Sequence, residues 1–68
     1  MITNDQELRT TLERIRHFQD QVARLRTVEA NPANYRQASA GFLAEIDRMQ
    51  LDVREYLTLH PSEVAANA

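Results

Sequence analysis

Two heptad repeats separated by one short break constrain this chain more than any other feature. Leu8, Ile15 and Val22 recur every seven residues, and Phe18 and Leu25 fill the second heptad position, with Thr11 as its polar member. A second repeat follows. Ile46 and Val53 hold its first position, flanked by Ser39 and His60, and Tyr35, Phe42, Met49 and Tyr56 hold its second. An apolar period of about 3.5 residues sustained over this length marks a coiled-coil seam rather than a chance amphipathic face.

The breaks define the ends of two helices. Thr3 and Asn4 are good N-cap residues, and Thr3 has Gln6 three positions on, the spacing of a capping box. Asp5 and Glu7 fall in the first turn, where the helix dipole favours negative charge. At Ala30-Asn31-Pro32, Asn31 can end one helix or cap the next, and Pro32 suits a first helical turn. At His60-Pro61 the residue before proline is driven out of the helical region. Helices are therefore expected over about 4–29 and 33–59, each on the order of 40 Å long. Residues 1–61 form one hairpin domain on this reading, and 62–68 a short polar tail.

The two seams complement each other. Folding the chain antiparallel about Pro32 sets Leu8 against Tyr56, Thr11 against Val53 and Ile15 against Met49. It also sets Phe18 against Ile46, Val22 against Phe42 and Leu25 against Ser39. Every pair joins a first-position residue to a second-position one, and large side chains mostly face smaller ones, which favours interdigitation. The expected fold class is all-α: two long helices in an antiparallel coiled-coil hairpin.

The hairpin leaves apolar residues over. Leu12 and Val28 flank the first seam, Leu43 and Leu57 flank the second, and Leu51 lies on the opposite face. Leu12, Val28, Leu43 and Leu57 are the candidate interface, and the simplest partner is a second copy, giving a homodimeric four-helix bundle. A chain of 68 residues buries only about 60% of its unfolded surface, so help from a partner is in keeping with its size.

Composition narrows the function classes. There is no Cys, hence no disulfide and no thiol nucleophile or ligand. No apolar run approaches the roughly 18 residues of a membrane span, and the first 15 residues lack the pattern of a secretory signal, so a cytoplasmic chain without membrane association is expected. All eight basic residues are Arg, five of them (Arg9, Arg14, Arg16, Arg24 and Arg26) in the first helix. Asp5, Glu7, Glu13, Asp20 and Glu29 balance them there, with Asp5–Arg9 and Asp20–Arg24 at favourable spacing. A net charge of −2 does not favour nucleic-acid binding.

Catalytic and metal-binding patterns are weak. No Gly-rich phosphate loop or nucleophile elbow is present, and neither Ser39 nor Ser62 has a His–carboxylate pair nearby in sequence, although Ser62 is beside His60. Glu13, His17 and Asp20 share a helix face, but the Glu–His spacing is four rather than the three of di-metal bundles, and no second set occurs. They are expected to form a solvated face that is inert to metal. Arg54 and His60 have the R-x5-H spacing of HEPN-type ribonucleases, which place it in larger bundles; His60 is expected to be a helix-end residue. Tyr35 and Tyr56 are expected to pack the two hairpin ends. The chain is thus expected to be no enzyme and to need no cofactor.

Met1-Ile2-Thr3-Asn4 ahead of a heptad helix, a Pro-containing turn, and a second helix closing on Ile46-Asp47-Arg48-Met49-Gln50-Leu51-Asp52-Val53-Arg54-Glu55-Tyr56 form a wider pattern. It is similar to the helical hairpin preceding the DNA-binding domain in some XRE-type (lambda-repressor-like) bacterial regulators and antitoxins. The resemblance implies an oligomerisation or partner-binding hairpin in a bacterial cytoplasm. No helix-turn-helix follows in these 68 residues, so it carries over neither DNA binding nor catalytic residues. The function expected is a small protein–protein interaction module, antitoxin-like or regulator-associated. The alternative is a nucleic-acid-linked regulator that binds through the Arg-bearing first helix of a dimer.

Overall fold

Asn4 starts the first helix. Its side-chain oxygen accepts the backbone N–H of Glu7 at 2.8 Å, and α1 runs Asp5–Val28. In turn, the Glu7 carboxylate accepts the Thr3 backbone N–H at 2.9 Å and the Thr3 hydroxyl. The cap is therefore built by Asn4 and Glu7, one position later than the Thr3–Gln6 box expected from spacing. The reason is chemical: Glu7 can reach back to two donors on Thr3, and a carboxylate is a stronger acceptor than the Gln6 amide.

The chain leaves α1 at Glu29, whose extended backbone ends the helix. Asn31 caps the next helix, accepting from the N–H groups of Ala33 at 2.9 Å and Asn34 at 3.3 Å. Pro32 occupies the first turn of α2, which runs Pro32–Leu57. Of the two roles open to Asn31, the side chain takes the N-cap one.

The structure, a computed structural model, describes residues 1–66, with side chains described through Glu63. Its third element falls in the stretch expected as a polar tail. A short helix, α3, spans Pro61–Ala66, and positions 67–68 of the expected tail lie outside the described residues. His60 caps it. The Ser62 N–H donates to His60 Nδ1 at 3.1 Å, and the His60 N–H donates to the Glu63 carboxylate at 3.2 Å. Pro61 stops α2, as expected, and then serves as a helix-starting residue, since its fixed φ suits a first turn.

The long helices pack antiparallel as a hairpin, with no strand among the described residues. The core is the heptad seam: Ile15, Val22, Ile46 and Met49 form the buried cluster, with Phe18, Tyr35 and Val53 packed against it. Ser39 is 2% exposed, where a small residue keeps the helices close near the turn. Its hydroxyl, like that of Thr11, is directed back to a carbonyl of its own helix. Two contacts across the seam fall one helical turn from the pairs expected. Phe18 meets Phe42 edge-on, with ring centroids 5.8 Å apart, rather than facing Ile46 alone. The Tyr56 hydroxyl donates to the Asp5 carboxylate at 2.6 Å, passing beyond the level of Leu8.

The molecule measures 51 × 15 × 13 Å, with a radius of gyration of 15.4 Å. A compact domain of this length would have about 11 Å. A single seam between two rods cannot draw the chain any closer, and this leaves the sides of the hairpin open.

Candidate functional site

The seam has two sides, and heptad position assigns each flanking residue to one of them. Leu12 lines a shallow groove with Ile15, Arg16, Gln19, Asp20, Gln50 and Val53. Leu43 and Leu57 stand seven residues before and after Gln50, so they share its side of α2. Leu12, Leu43 and Leu57 therefore form one edge, and they are 47%, 44% and 63% exposed. Val28, at 69% exposed, stands whole heptads after Glu7 and Arg14, which line the groove on the other side with Met49 and Asp52. The structure thus brings three of the four candidate interface residues onto one edge and puts Val28 on the other.

The second edge is covered at the open end of the hairpin. Residues 1–4 fold back so that Ile2 is buried at 9% exposed, beside Asp52, Tyr56 and Leu59. The amino-terminal ammonium lies 3.9 Å from the Asp52 carboxylate. Sequence reasoning missed Ile2 because it precedes the helix and has no heptad partner; its only signal was an apolar residue just before an N-cap, the place from which a chain can fold back onto its helix.

Charges stand on the leucine edge as well as on the outer faces: Arg16 and Asp20 line the groove beside Leu12. Arg9, Arg14, Arg16, Arg24 and Arg26 are all exposed, interspersed with exposed Asp5, Glu7, Glu13 and Asp20. Among the described residues the ion pairs are Met1–Asp52 and Glu45–Arg48. Neither Asp5–Arg9 nor Asp20–Arg24 is among them; Asp5 accepts the Tyr56 hydroxyl instead, and nothing in the structure accounts for the second.

Two groups have shifted acidities. The hydrogen bonds that Glu7 accepts from the Thr3 hydroxyl and backbone hold its carboxyl below the usual range. The hydrogen bond to Asp5 pushes the Tyr56 phenol up, since an ionised phenolate would face a carboxylate. Both groups lie at the open end of the hairpin.

The remaining candidates stand apart. Glu13, His17 and Asp20 are exposed on α1, and no group of three metal-ligating side chains converges among the described residues. Arg54 is exposed on α2, while His60 uses Nδ1 to cap α3, with the Ser62 hydroxyl 2.8 Å away. The Ser62–His60 contact is part of that cap. Ser39 is sealed in the seam, and Tyr35 and Tyr56 pack at opposite ends of the hairpin, Tyr35 near the turn. No helix among the described residues is long and apolar enough to cross a membrane.

No protein-family model, curated protein or solved structure matches this chain. The exposed edge of Leu12, Leu43 and Leu57 is consequently read from its own chemistry. Its leucines span about 20 Å, from the roughly 1.5 Å rise per residue between Leu43 and Leu57, with Asp47, Gln50 and Arg54 between them on α2. It has no buried titratable group and no enclosed cavity of its own.

Proposed function

We propose that this chain is a small helical interaction module that associates with itself, two hairpins forming a four-helix coiled-coil bundle. The observation that carries this reading is the line of Leu12, Leu43 and Leu57 left exposed on one side of a hairpin whose core is a single seam. Burying a leucine contributes roughly 1.5–3 kcal/mol. A two-fold assembly counts each leucine twice, against an association cost on the order of 4–15 kcal/mol. The resemblance to the hairpins of XRE-type regulators and antitoxins supports the same class of role, with a regulator or toxin partner in a bacterial cytoplasm. The Arg residues of α1 alternate with exposed carboxylates, which favours a protein partner over nucleic acid.

Light scattering on the intact chain tests the reading. Wild type is expected to run as a homodimer or larger assembly at tens of micromolar. Replacing both Leu43 and Leu57 by Glu is expected to give a monomer of lower stability, since a thin hairpin of this size has little core to spare. A wild-type chain that remains a stable, fully helical monomer at that concentration overturns self-association.

A further inference from the structure

The arrangement of side chains along α2 specifies how two copies meet, given the self-association proposed above. Leu43, Asp47, Gln50, Arg54 and Leu57 follow one another at spacings of four, three, four and three, so they form one stripe along the helix. The stripe is self-complementary about Gln50. Leucines stand seven residues to either side, and an acid and a base stand three and four residues to either side.

Asp47 and Arg54 are both exposed. Neither has an opposite charge three or four residues away on α2, and neither takes part in the ion pairs present among the described residues. We infer that α2 packs antiparallel against α2 of a second copy, about a two-fold axis passing beside Gln50, with Asp47 opposite Arg54 of the second copy. The same rotation places Leu43 against Leu57 of the second copy and the reverse. Leu12, which lines the same groove as Gln50, then lies close to the axis. A parallel arrangement would oppose Asp47 to Asp47 and Arg54 to Arg54, and like charges at close range select against it. Gln50 at the axis meets its own copy and can both donate and accept, which marks the register as a lone polar residue does in a coiled-coil interface.

The chain has no cysteine, so a single introduced thiol reports on one position. Gln50→Cys is expected to form a covalent dimer under mild oxidation much faster than Ala44→Cys, on an exposed part of α2 away from the stripe. Asp47→Arg and Arg54→Asp are each expected to raise the dimer dissociation constant by about tenfold, since each places two like-charge contacts in the interface. The double exchange Asp47→Arg/Arg54→Asp is expected to restore wild-type association. Circular dichroism confirms that each variant keeps its helices, as exposed positions allow. A wild-type dimer in which Gln50→Cys links no faster than Ala44→Cys, or in which the double exchange fails to restore association, overturns this geometry while leaving self-association intact. A wild-type monomer overturns both.

Discussion

Tyr56 and Glu7 each join two segments that would otherwise fray. The Tyr56 phenol donates to Asp5 across the open end of the hairpin, and the bond exists only while the phenol keeps its proton. Its folded acidity is raised by that bond. The stability it contributes is therefore complete below the unfolded tyrosine value of about 10 and is lost as pH rises through the higher folded value. Thermal melting followed from about pH 9 to 11.5 should show wild type losing more stability than Tyr56→Phe. No lysine is present to titrate in the same window. Glu7 behaves in the opposite sense. Its carboxyl is held low by the bonds from Thr3, so its contribution is complete above the unfolded value of about 4.3 and is lost as pH falls through the lower folded one. Glu7→Gln should flatten the melting profile between about pH 5 and 3. Equal slopes for variant and wild type in either window would show that the bond in question adds nothing to stability.

At the level of the helix, α2 carries an avoidable cost. Gly41 lies exposed inside it, its φ is not positive, and an added Cβ would meet no atom within 4 Å. Glycine in a helix interior costs roughly 0.5–1 kcal/mol relative to alanine, through the freedom it loses on folding. Gly41→Ala should therefore raise stability by about that amount, read as a shift in the urea midpoint with an unchanged slope. The position is off the Leu43–Leu57 stripe on a helical wheel, so the gain should not alter association. A destabilised variant would mean that something packs against this face of α2. The caps show a similar economy of means. Asn4, Asn31 and His60 each accept backbone N–H groups that a helix start leaves without partners.

Across the whole molecule, length and thinness go together. A hairpin 51 Å long and 13–15 Å across has one buried seam, so its folding and its assembly are expected to be coupled. A dimer that forms only from folded chains is stabilised by mass action, and its melting temperature rises with concentration. Wild type should therefore melt several degrees higher at about 100 μM than at about 1 μM, and the Leu43→Glu/Leu57→Glu variant should melt at one temperature throughout. A wild-type melting temperature independent of concentration would separate folding from association.

The heptads by themselves determined the two long helices, the residues that line the seam and the antiparallel hairpin. Each of these follows from a local period, and burying one apolar face of each helix leaves little choice of partner face. Asn31-Pro32 and His60-Pro61 likewise set the breaks, through backbone sterics at the prolines and the capping side chains of Asn31 and His60. Other features needed the fold. The Phe18–Phe42 contact depends on how far the helices slide along each other, and spacing leaves that open by a turn. Ile2 is buried because the terminus folds back on the far helix, and the Tyr56–Asp5 bond joins residues 51 positions apart. The meeting of Leu12 with Leu43 and Leu57 along one edge has the same origin, whereas the separation of Val28 from Leu12 already follows from heptad position on α1. Period tells which residues flank a seam, but only two helices packed together decide which flanks share an edge.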